Sequence, residues 1–234
     1  MVGAVLPLKD TLPSRRFPLV TLALVAANVA VWAAYQLPRG APSYMTLGYR
    51  PCEVAASCDG SGLPWELNLF TSMFAHGGWA HIIGNMLFLL IFGDNVEALL
   101  GRVRYLGFYV LGGLVATALQ SGVTFLFGGD GATEVPNIGA SGAIAAVLGA
   151  YLLEFPRSRV LTWVAPAFFF TIPALAFLGI WFVEQIYIGG LSLTAPQAGG
   201  GVAFFAHLGG FVFGVGLVRV FALGRPPGLP QPAG

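Results

Sequence analysis

Residues 76–100 read HGGWAHIIGNMLFLLIFGDNVEALL, and their apolar run from about residue 80 to 100 contains few charges. A helix needs about 20 mostly apolar residues to cross a bilayer, and this run has that length. Two polar side chains, His81 and Asn85, fall early in the run, where burial in lipid is costly. The stretch therefore predicts a membrane-spanning helix with unusual polar groups near one end.

The whole chain has the composition of a polytopic membrane protein. Of its 234 residues, 56% are hydrophobic and 9% are charged, whereas a typical soluble domain has about 25% charged residues. We expect an all-α fold of six transmembrane helices in a compact bundle. Their predicted positions are 18–36, 80–100, 104–127, 139–155, 160–188 and 202–222. The net charge of +1 gives no indication of a nucleic-acid partner.

The basic residues predict that both termini lie in the cytoplasm. Of the 11 Lys and Arg residues, only Arg39 and Arg50 fall outside in this orientation. The run at 18–36 is too long for a signal peptide and is interpreted as a retained anchor. We therefore expect a cytoplasmic segment at 1–17, a membrane domain at 18–222 and a disordered Pro/Gly-rich cytoplasmic tail at 223–234. The expected location is a bacterial cell membrane.

The predicted outer loop, about residues 37–79, contains both cysteines. Cys52 and Cys58 would lie on the oxidising side of the membrane, where a disulfide is plausible and two free thiols are the alternative. The end of the loop, from Trp65, is apolar and aromatic. We expect it to dip into the membrane surface.

The predicted topology brings four polar residues to one depth. Spans two, four and six each begin at the outer face, and they carry His81 and Asn85, Ser141, and His207 near their beginnings. A lone serine in such a helix usually bonds to the carbonyl four residues before it. Ser141, however, begins a face almost without side-chain bulk, and Gly210 gives span six a similar face near His207. Such faces let backbones approach closely, which would bring Ser141 within reach of His207.

A serine beside a neutral histidine is the minimum needed for nucleophilic acyl transfer. His81, Asn85 and the Ser141 amide could donate hydrogen bonds to a developing oxyanion. No carboxylate inside the spans is suited to orient His207, although Glu184 is a spare candidate. His76, in the loop, is expected to bond loop carbonyls and to hold that segment. His76 and His81 are five residues apart with no Glu between them, so we predict neither a metal site nor a cofactor.

These residues resemble the rhomboid family of intramembrane serine proteases. The resemblance covers about residues 65–216 and rests on HGGWAHIIGNMLFLLIFGDNVE, GASGAIAAVLG and AHLGGFVFG, in the family's order. It implies that Ser141 is the nucleophile and His207 the base. It also implies an oxyanion site of His81, Asn85 and the Ser141 amide, shaped by Gly139. The implied structural positions are Glu97 with Gly101, Gly142, Gly210 and Gly214.

The resemblance also implies a transmembrane protein substrate, unwound near the cut, and an active site that opens toward the extracytoplasmic side. In some family members, an aromatic residue four positions after the serine stacks on the catalytic histidine. This chain has Ala145 at that position. Phe204, Phe205 or packing on Gly142 would then hold His207. We expect span five, weakened by Pro166 and Pro173, and the glycine-rich loop at 189–201 to gate access. The oligomeric state stays open.

Two other readings compete with a protease. A rhomboid-like pseudoprotease would bind membrane clients without cutting them, but such proteins typically lose the serine or the histidine. A small transporter would use the polar layer as a solute site, but the chain shows no internal repeat of the kind many transporters have. We favour the protease.

Overall fold

Five long apolar helices and one shorter apolar helix make up most of the described chain. The computed structural model describes residues 5–13, 16–60, 62–194 and 202–224. A π-helical segment, Val31–Gln36, joins the first two helices into one span, and 3-10 turns lie at Ser72–Phe74 and Ala132–Glu134. In chain order the helices are α1 (Leu19–Ala30), α2 (Leu37–Arg39), α3 (Pro42–Leu47), α4 (Pro51–Val54), α5 (Trp65–Thr71), α6 (Trp79–Leu100), α7 (Arg102–Phe127), α8 (Ser141–Glu154), α9 (Ala174–Thr194) and α10 (Phe204–Ala222).

The helices long enough to cross a bilayer are the continuous span Leu19–Arg39, α6, α7, α9 and α10, while α8 is the shorter apolar helix. Four of the six predicted spans, the first, second, third and sixth, therefore match long helices to within a few residues. The protein is a mostly helical, multi-pass membrane protein.

The expectation of an all-α fold is wrong, because three strands form a small antiparallel sheet. Strand β1 (Val5–Asp10) pairs with β2 (Arg159–Val164), and β2 pairs with β3 (Phe168–Pro173). Residues 160–173, predicted as the first half of span five, are thus a hairpin, and the fifth spanning helix begins only at Ala174. A short apolar run rich in aromatic and β-branched residues fits a strand as well as a helix, so its hydropathy alone is ambiguous.

The two prolines expected to weaken span five lie outside the helix. Pro166 is in the turn between β2 and β3, and Pro173 is the last residue of β3. Proline lacks the N–H that a central strand or a helix interior needs, so a turn and a strand end accommodate it. The predicted loop at 189–201 is also shorter than expected, since α9 continues to Thr194. Residues 195–201, and 225–234 of the predicted tail, lie outside the described residues.

The N-terminal strand is fixed to the helical bundle through Asp10. The Asp10 carboxylate accepts hydrogen bonds from Asn95 Nδ2 at 2.9 Å and from the Tyr151 hydroxyl at 2.5 Å. Burial, opposed by the Tyr151 hydrogen bond, raises the pKa of Asp10 to about 6. The predicted N-terminal segment 1–17 therefore contributes a strand that contacts both α6 and α8.

Helix α8 is short and lies inside the protein. Its 14 residues span about 21 Å at 1.5 Å per residue, less than the roughly 30 Å of the hydrocarbon core. Every residue from Gly142 to Tyr151 is buried. Because protein surrounds this helix, it needs no lipid-facing surface of full bilayer length.

Glycines bring α8 into backbone contact with α10. A Cβ atom on Gly210 would lie 2.0 Å from the carbonyl oxygen of Gly142, and one on Gly214 would lie 2.0 Å from that of Ala146. A Cβ on Gly142 would lie 2.6 Å from the Ala116 Cβ atom in α7. The close approach expected of small-residue faces therefore occurs where α7, α8 and α10 meet.

Glu97 of α6 caps the N-terminus of α1. Its carboxylate oxygens accept hydrogen bonds from the N–H groups of Val20 at 3.0 Å and Thr21 at 2.8 Å, and from the Thr21 hydroxyl at 2.8 Å. The first N–H groups of a helix have no partner within the helix, and a carboxylate also stabilises the positive end of the helix dipole. Glu97 therefore joins the start of the first span to the end of the second.

A disulfide joins Cys52 and Cys58 in the outer loop, with a Cα–Cα distance of 5.6 Å. In the short stretch of chain between α3 and α4, Tyr49 pairs with Asn137 by two backbone hydrogen bonds of 3.1 and 2.8 Å. Asn137 lies four residues before Ser141. The outer loop therefore supports the segment that leads into α8.

Candidate active site

Ser141 is the first residue of α8, and Gly139 shapes the backbone just before it. Gly139 has a φ of +124°, a conformation that side chains with a Cβ rarely adopt, and its N–H donates a 2.8 Å hydrogen bond to the Ser72 carbonyl. A Cβ atom on Gly139 would lie 2.7 Å from His81 Nε2 and 3.5 Å from Ser141 Oγ. Glycine is therefore required here both by the backbone and by space, and it leaves the His81 ring close to the serine hydroxyl.

The hydrogen bonds of His81 define which ring nitrogen can donate. The Gly77 N–H donates to Nδ1 at 3.2 Å, so Nδ1 acts as an acceptor. A neutral histidine that accepts at Nδ1 carries its proton on Nε2. Nε2 is the ring nitrogen on the side of Gly139, so the N–H group of His81 lies beside the backbone that leads into Ser141.

Asn85, one helical turn after His81, offers a second donor. Asn85 is buried, and its side-chain nitrogen Nδ2 has no hydrogen-bond partner among the described residues. Leaving a buried donor unpaired costs about 1–3 kcal/mol, so such groups in native proteins call for an explanation. A ligand oxygen that binds only during a reaction would provide the missing partner.

His207 lies in the first turn of α10 and is held by a residue that the sequence reasoning missed. Its Nδ1 atom is 2.7 Å from Oε1 of Gln185, which lies in α9 and is buried. Since the amide oxygen can only accept, Nδ1 carries the proton and Nε2 is left as an acceptor. The indole ring of Trp181, one turn before Gln185, lies 5.8 Å from the imidazole ring.

These contacts replace the aromatic residue missing at Ala145. Of the expected alternatives, Phe204 meets the His207 ring only edge-on, at 6.4 Å between ring centroids, and Gly142 packs on Ala206 and Ala116. Gln185 follows Glu184 directly, so the acidic residue considered as a partner for His207 is one residue away from the observed partner. A buried polar residue within a predicted span was the available signal.

Ser141 and His207 lie at the same level of two parallel helices. Gly142 meets Gly210 and, four residues further along each chain, Ala146 meets Gly214. Ser141 precedes the first contact by one residue and His207 precedes it by three, so both are within a turn of it. In the described part of the chain no hydrogen bond joins the two side chains, and the bond of His207 is to Gln185.

A small crevice opens beside the serine. Its lining includes Ser141, Gly139, Gln120 and Ala206, and its volume is about 30 Å³. This is room for about one or two water molecules. A peptide segment does not fit in this crevice, and His207 is not among the residues that line it.

His76 does not bond loop carbonyls as expected. Its ring is fully buried, meets the His81 ring edge-on at 5.0 Å, and neither ring nitrogen has a partner among the described residues. Burial and the neighbouring His81 lower the pKa of His76 to about 4. The segment is instead held by its backbone, which exchanges two hydrogen bonds with the Gln36 amide, of 2.8 and 3.1 Å.

Comparison with known proteins identifies the family. The Rhomboid domain family matches residues 64–223, which is most of the membrane part, and the chain belongs to this family. The resemblance inferred from the three motifs is thereby confirmed at the level of the family.

Similar proteins carry the same family name. The chain is 34% identical over 161 residues to RHOMBOID-like protein 1 of Arabidopsis thaliana and covers 35% of it. It is 32% identical over 152 residues to the mitochondrial presenilin-associated rhomboid-like protein A of Danio rerio, covering 36%. It is 27% identical over 196 residues to the mitochondrial Rhomboid protein 1 of Saccharomyces cerevisiae, covering 50%. These alignments include between 64% and 82% of the present chain.

Proposed function

We propose that this protein is an intramembrane serine endopeptidase that hydrolyses a peptide bond in or next to a transmembrane segment of another membrane protein. The observation that carries the proposal is the orientation of His207. Its Nδ1 atom is engaged by Gln185 at 2.7 Å, which leaves Nε2 as an acceptor at the level of Ser141. A base oriented by a third group is the arrangement that activates serine nucleophiles.

In the proposed reaction, Nε2 of His207 takes the hydroxyl proton as Ser141 Oγ attacks the carbonyl carbon of the substrate. The proton then passes to the leaving amine, and an acyl-enzyme ester remains on Ser141. A water molecule, deprotonated by the same nitrogen, hydrolyses this ester and releases the second product. The Ser141–His207 hydrogen bond, absent among the described residues, is expected to form with bound substrate, because catalytic hydrogen bonds are often long in free enzymes.

Three donors are proposed to stabilise the oxyanion of the tetrahedral intermediate. They are the Nε2–H group of His81, the unpaired Nδ2–H group of Asn85 and the backbone N–H of Ser141, which has no partner within the helix at its position in α8. Gly139 leaves the space in which the oxyanion would sit. Removing one such donor typically costs about 10²–10³ in kcat.

The orientation and the membrane are also part of the proposal. The distribution of the 11 Lys and Arg residues supports cytoplasmic termini and an active site that opens on the extracytoplasmic side of a cell membrane. The five long apolar helices and the short α8 support the six-span plan of the bacterial type. The substrate would be a transmembrane protein with helix-breaking or small residues near the cut.

The proposal is tested by labelling the detergent-purified protein with a fluorescent fluorophosphonate and by incubating it with a model transmembrane substrate. We expect labelling of the wild type, none in Ser141→Ala and a sharp loss in His207→Ala. Ser121→Ala is the matched control, since Ser121 is a buried serine of α7 whose hydroxyl bonds to the Thr117 carbonyl at 2.7 Å. A folded, monodisperse wild type that neither reacts nor cuts would favour a client-binding pseudoprotease.

A further inference from the structure

Strand β3 presents three consecutive phenylalanines to its surroundings. Phe168, Phe169 and Phe170 are 60%, 61% and 53% exposed. They lie in the edge strand of a hairpin whose other strand is half-buried, since Val160 and Thr162 of β2 are fully buried and Thr162 pairs with Phe170. The hairpin thus has a half-buried strand, β2, and an exposed strand, β3, of six residues and about 20 Å, whose phenylalanines form the aromatic tip beside the turn.

The exposed rings lie on both faces of the strand. Successive side chains of a strand point to opposite faces, so Phe168 and Phe170 share one face, with ring centroids 6.4 Å apart, and Phe169 is on the other. A protein partner packed against one face would leave the other in water. Lipid surrounds a strand on both faces, and it is therefore the environment that removes all three rings from water.

The base of the hairpin is fixed at the end of a spanning helix. Strand β3 leads directly into α9, and the Ala174 N–H donates a 2.7 Å hydrogen bond to the Ser158 carbonyl. Arg157 and Arg159, on either side of Ser158, are both exposed. Basic residues at the end of a span and aromatic residues beside them are typical of the membrane interface.

We propose that the β2–β3 hairpin is an interfacial membrane anchor. Its phenylalanine strand inserts into the lipid leaflet at which α9 begins, and Arg157 and Arg159 contact the phosphate headgroups of that leaflet. Both strand faces then lie in the boundary between headgroups and acyl chains, about 5–10 Å below the surface, as for other interfacial aromatic segments. The proposal does not depend on proteolytic activity.

Spin labelling tests the depth of the tip. The Cys52–Cys58 disulfide accounts for both cysteines of the chain, so Phe169→Cys introduces the sole free thiol when no reductant is present. The variant carries a nitroxide and is reconstituted in phosphatidylcholine–phosphatidylglycerol liposomes. Collision rates are measured with oxygen, which concentrates in lipid, and with a water-soluble nickel chelate. Asp130→Cys, in the exposed loop after α7, is the aqueous control, and Val212→Cys, at a site 60% exposed on α10, is the lipid control.

The expected oxygen-to-nickel ratio at position 169 is severalfold above that at position 130 and approaches that at 212. Phe170→Cys, on the other strand face, is expected to give the same result and serves if the Phe169 variant is not monodisperse. A nitroxide as accessible to nickel as at position 130 would place the tip in water and overturn the proposal. A nitroxide shielded from both reagents would also overturn it, in favour of a protein contact such as a second copy on the β3 edge.

Discussion

At the scale of single residues, the candidate site depends on where the protons of two histidines lie. His81 accepts the Gly77 N–H at Nδ1, and Gln185 accepts from Nδ1 of His207. One ring is therefore prepared to donate at Nε2 and the other to accept there. In the proposed reaction, the same residue type serves as oxyanion donor or as base according to its hydrogen-bond partner, which is a backbone N–H for His81 and a side-chain amide for His207.

Replacing Gln185 tests this assignment. We expect Gln185→Leu to lower kcat by about 10–100-fold with little change in KM, since a general base contributes about 10²–10⁴ and the variant only loosens its orientation. Gln185→Glu keeps an acceptor opposite Nδ1 and should retain most of the activity. Steady-state cleavage of a model substrate measures both constants, and an unchanged kcat in Gln185→Leu would refute the assignment.

His76 is expected to make stability depend on pH. Burial lowers its pKa from 6.5 to about 4, so the folded state keeps the ring neutral while the unfolded chain binds a proton below pH 6.5. The free energy of unfolding is therefore unaffected by this ring above pH 6.5, and it decreases as the pH falls from 6.5 toward 4, because protons bind to the unfolded chain. We expect His76→Phe to reduce the fall in Tm between pH 7 and 5, measured in detergent. An equal change of Tm with pH in the wild type and in His76→Phe would contradict this role of His76.

At the scale of elements, backbone contact between α8 and α10 sets the distance between the two candidate catalytic residues. The contact requires glycine at 210 and 214, because any side chain there would meet a carbonyl oxygen of α8. A helix pair in lipid gains little from apolar burial and depends on such close packing. The glycines that follow His207 are therefore as important to the site as its polar groups.

Gly210→Ala is expected to destabilise the protein by about 1–3 kcal/mol, the usual cost of overpacking, and to abolish fluorophosphonate labelling by separating Ser141 from His207. Gly216→Ala is the matched control, since a Cβ on Gly216 of the same helix would meet nothing within 4 Å. Thermal unfolding and labelling rates measure both effects. Wild-type labelling in Gly210→Ala would mean that the two helices do not need this contact.

At the scale of the whole molecule, the proposed function links access to catalysis through α9. The crevice beside Ser141, of about 30 Å³, is too small for a peptide, so we expect an element of the fold to move, and α9 is the helix that also holds His207. A displacement of α9 large enough to admit a transmembrane helix would stretch the Gln185–His207 bond. We therefore expect α9 to move only partly, or to return before the chemical step.

A cross-link tests the movement of α9. A Cβ on Gly189 of α9 would lie 3.0 Å from the Phe204 Cβ atom of α10, close enough for a disulfide between Gly189→Cys and Phe204→Cys. The oxidised pair is expected to lose cleavage of a transmembrane substrate while it keeps labelling by a small fluorophosphonate. Reduction should restore cleavage, and the single-cysteine variants control for the substitutions. Full cleavage by the oxidised protein would show that α9 need not open.

The sequence by itself determined the family of the protein and the candidate residues of its site. Hydropathy located four of the five long helices because crossing a bilayer imposes a length, and polar residues inside spans stood out because lipid makes them costly. The serine and histidine motifs identified the family, which the domain match confirms. These inferences need only local composition and spacing, which a linear sequence displays directly.

Only the tertiary structure decided three features: the β-hairpin, the hydrogen-bond partner of His207, and the lack of a partner for the Asn85 side-chain nitrogen among the described residues. Residues 160–173 are apolar in either conformation, and pairing with β1, about 150 residues earlier in the chain, stabilises the strand form. Gln185 is 22 residues from His207 and becomes its partner only because α9 packs beside α10. Such contacts join distant parts of the chain, and they depend on helix packing that no local pattern encodes.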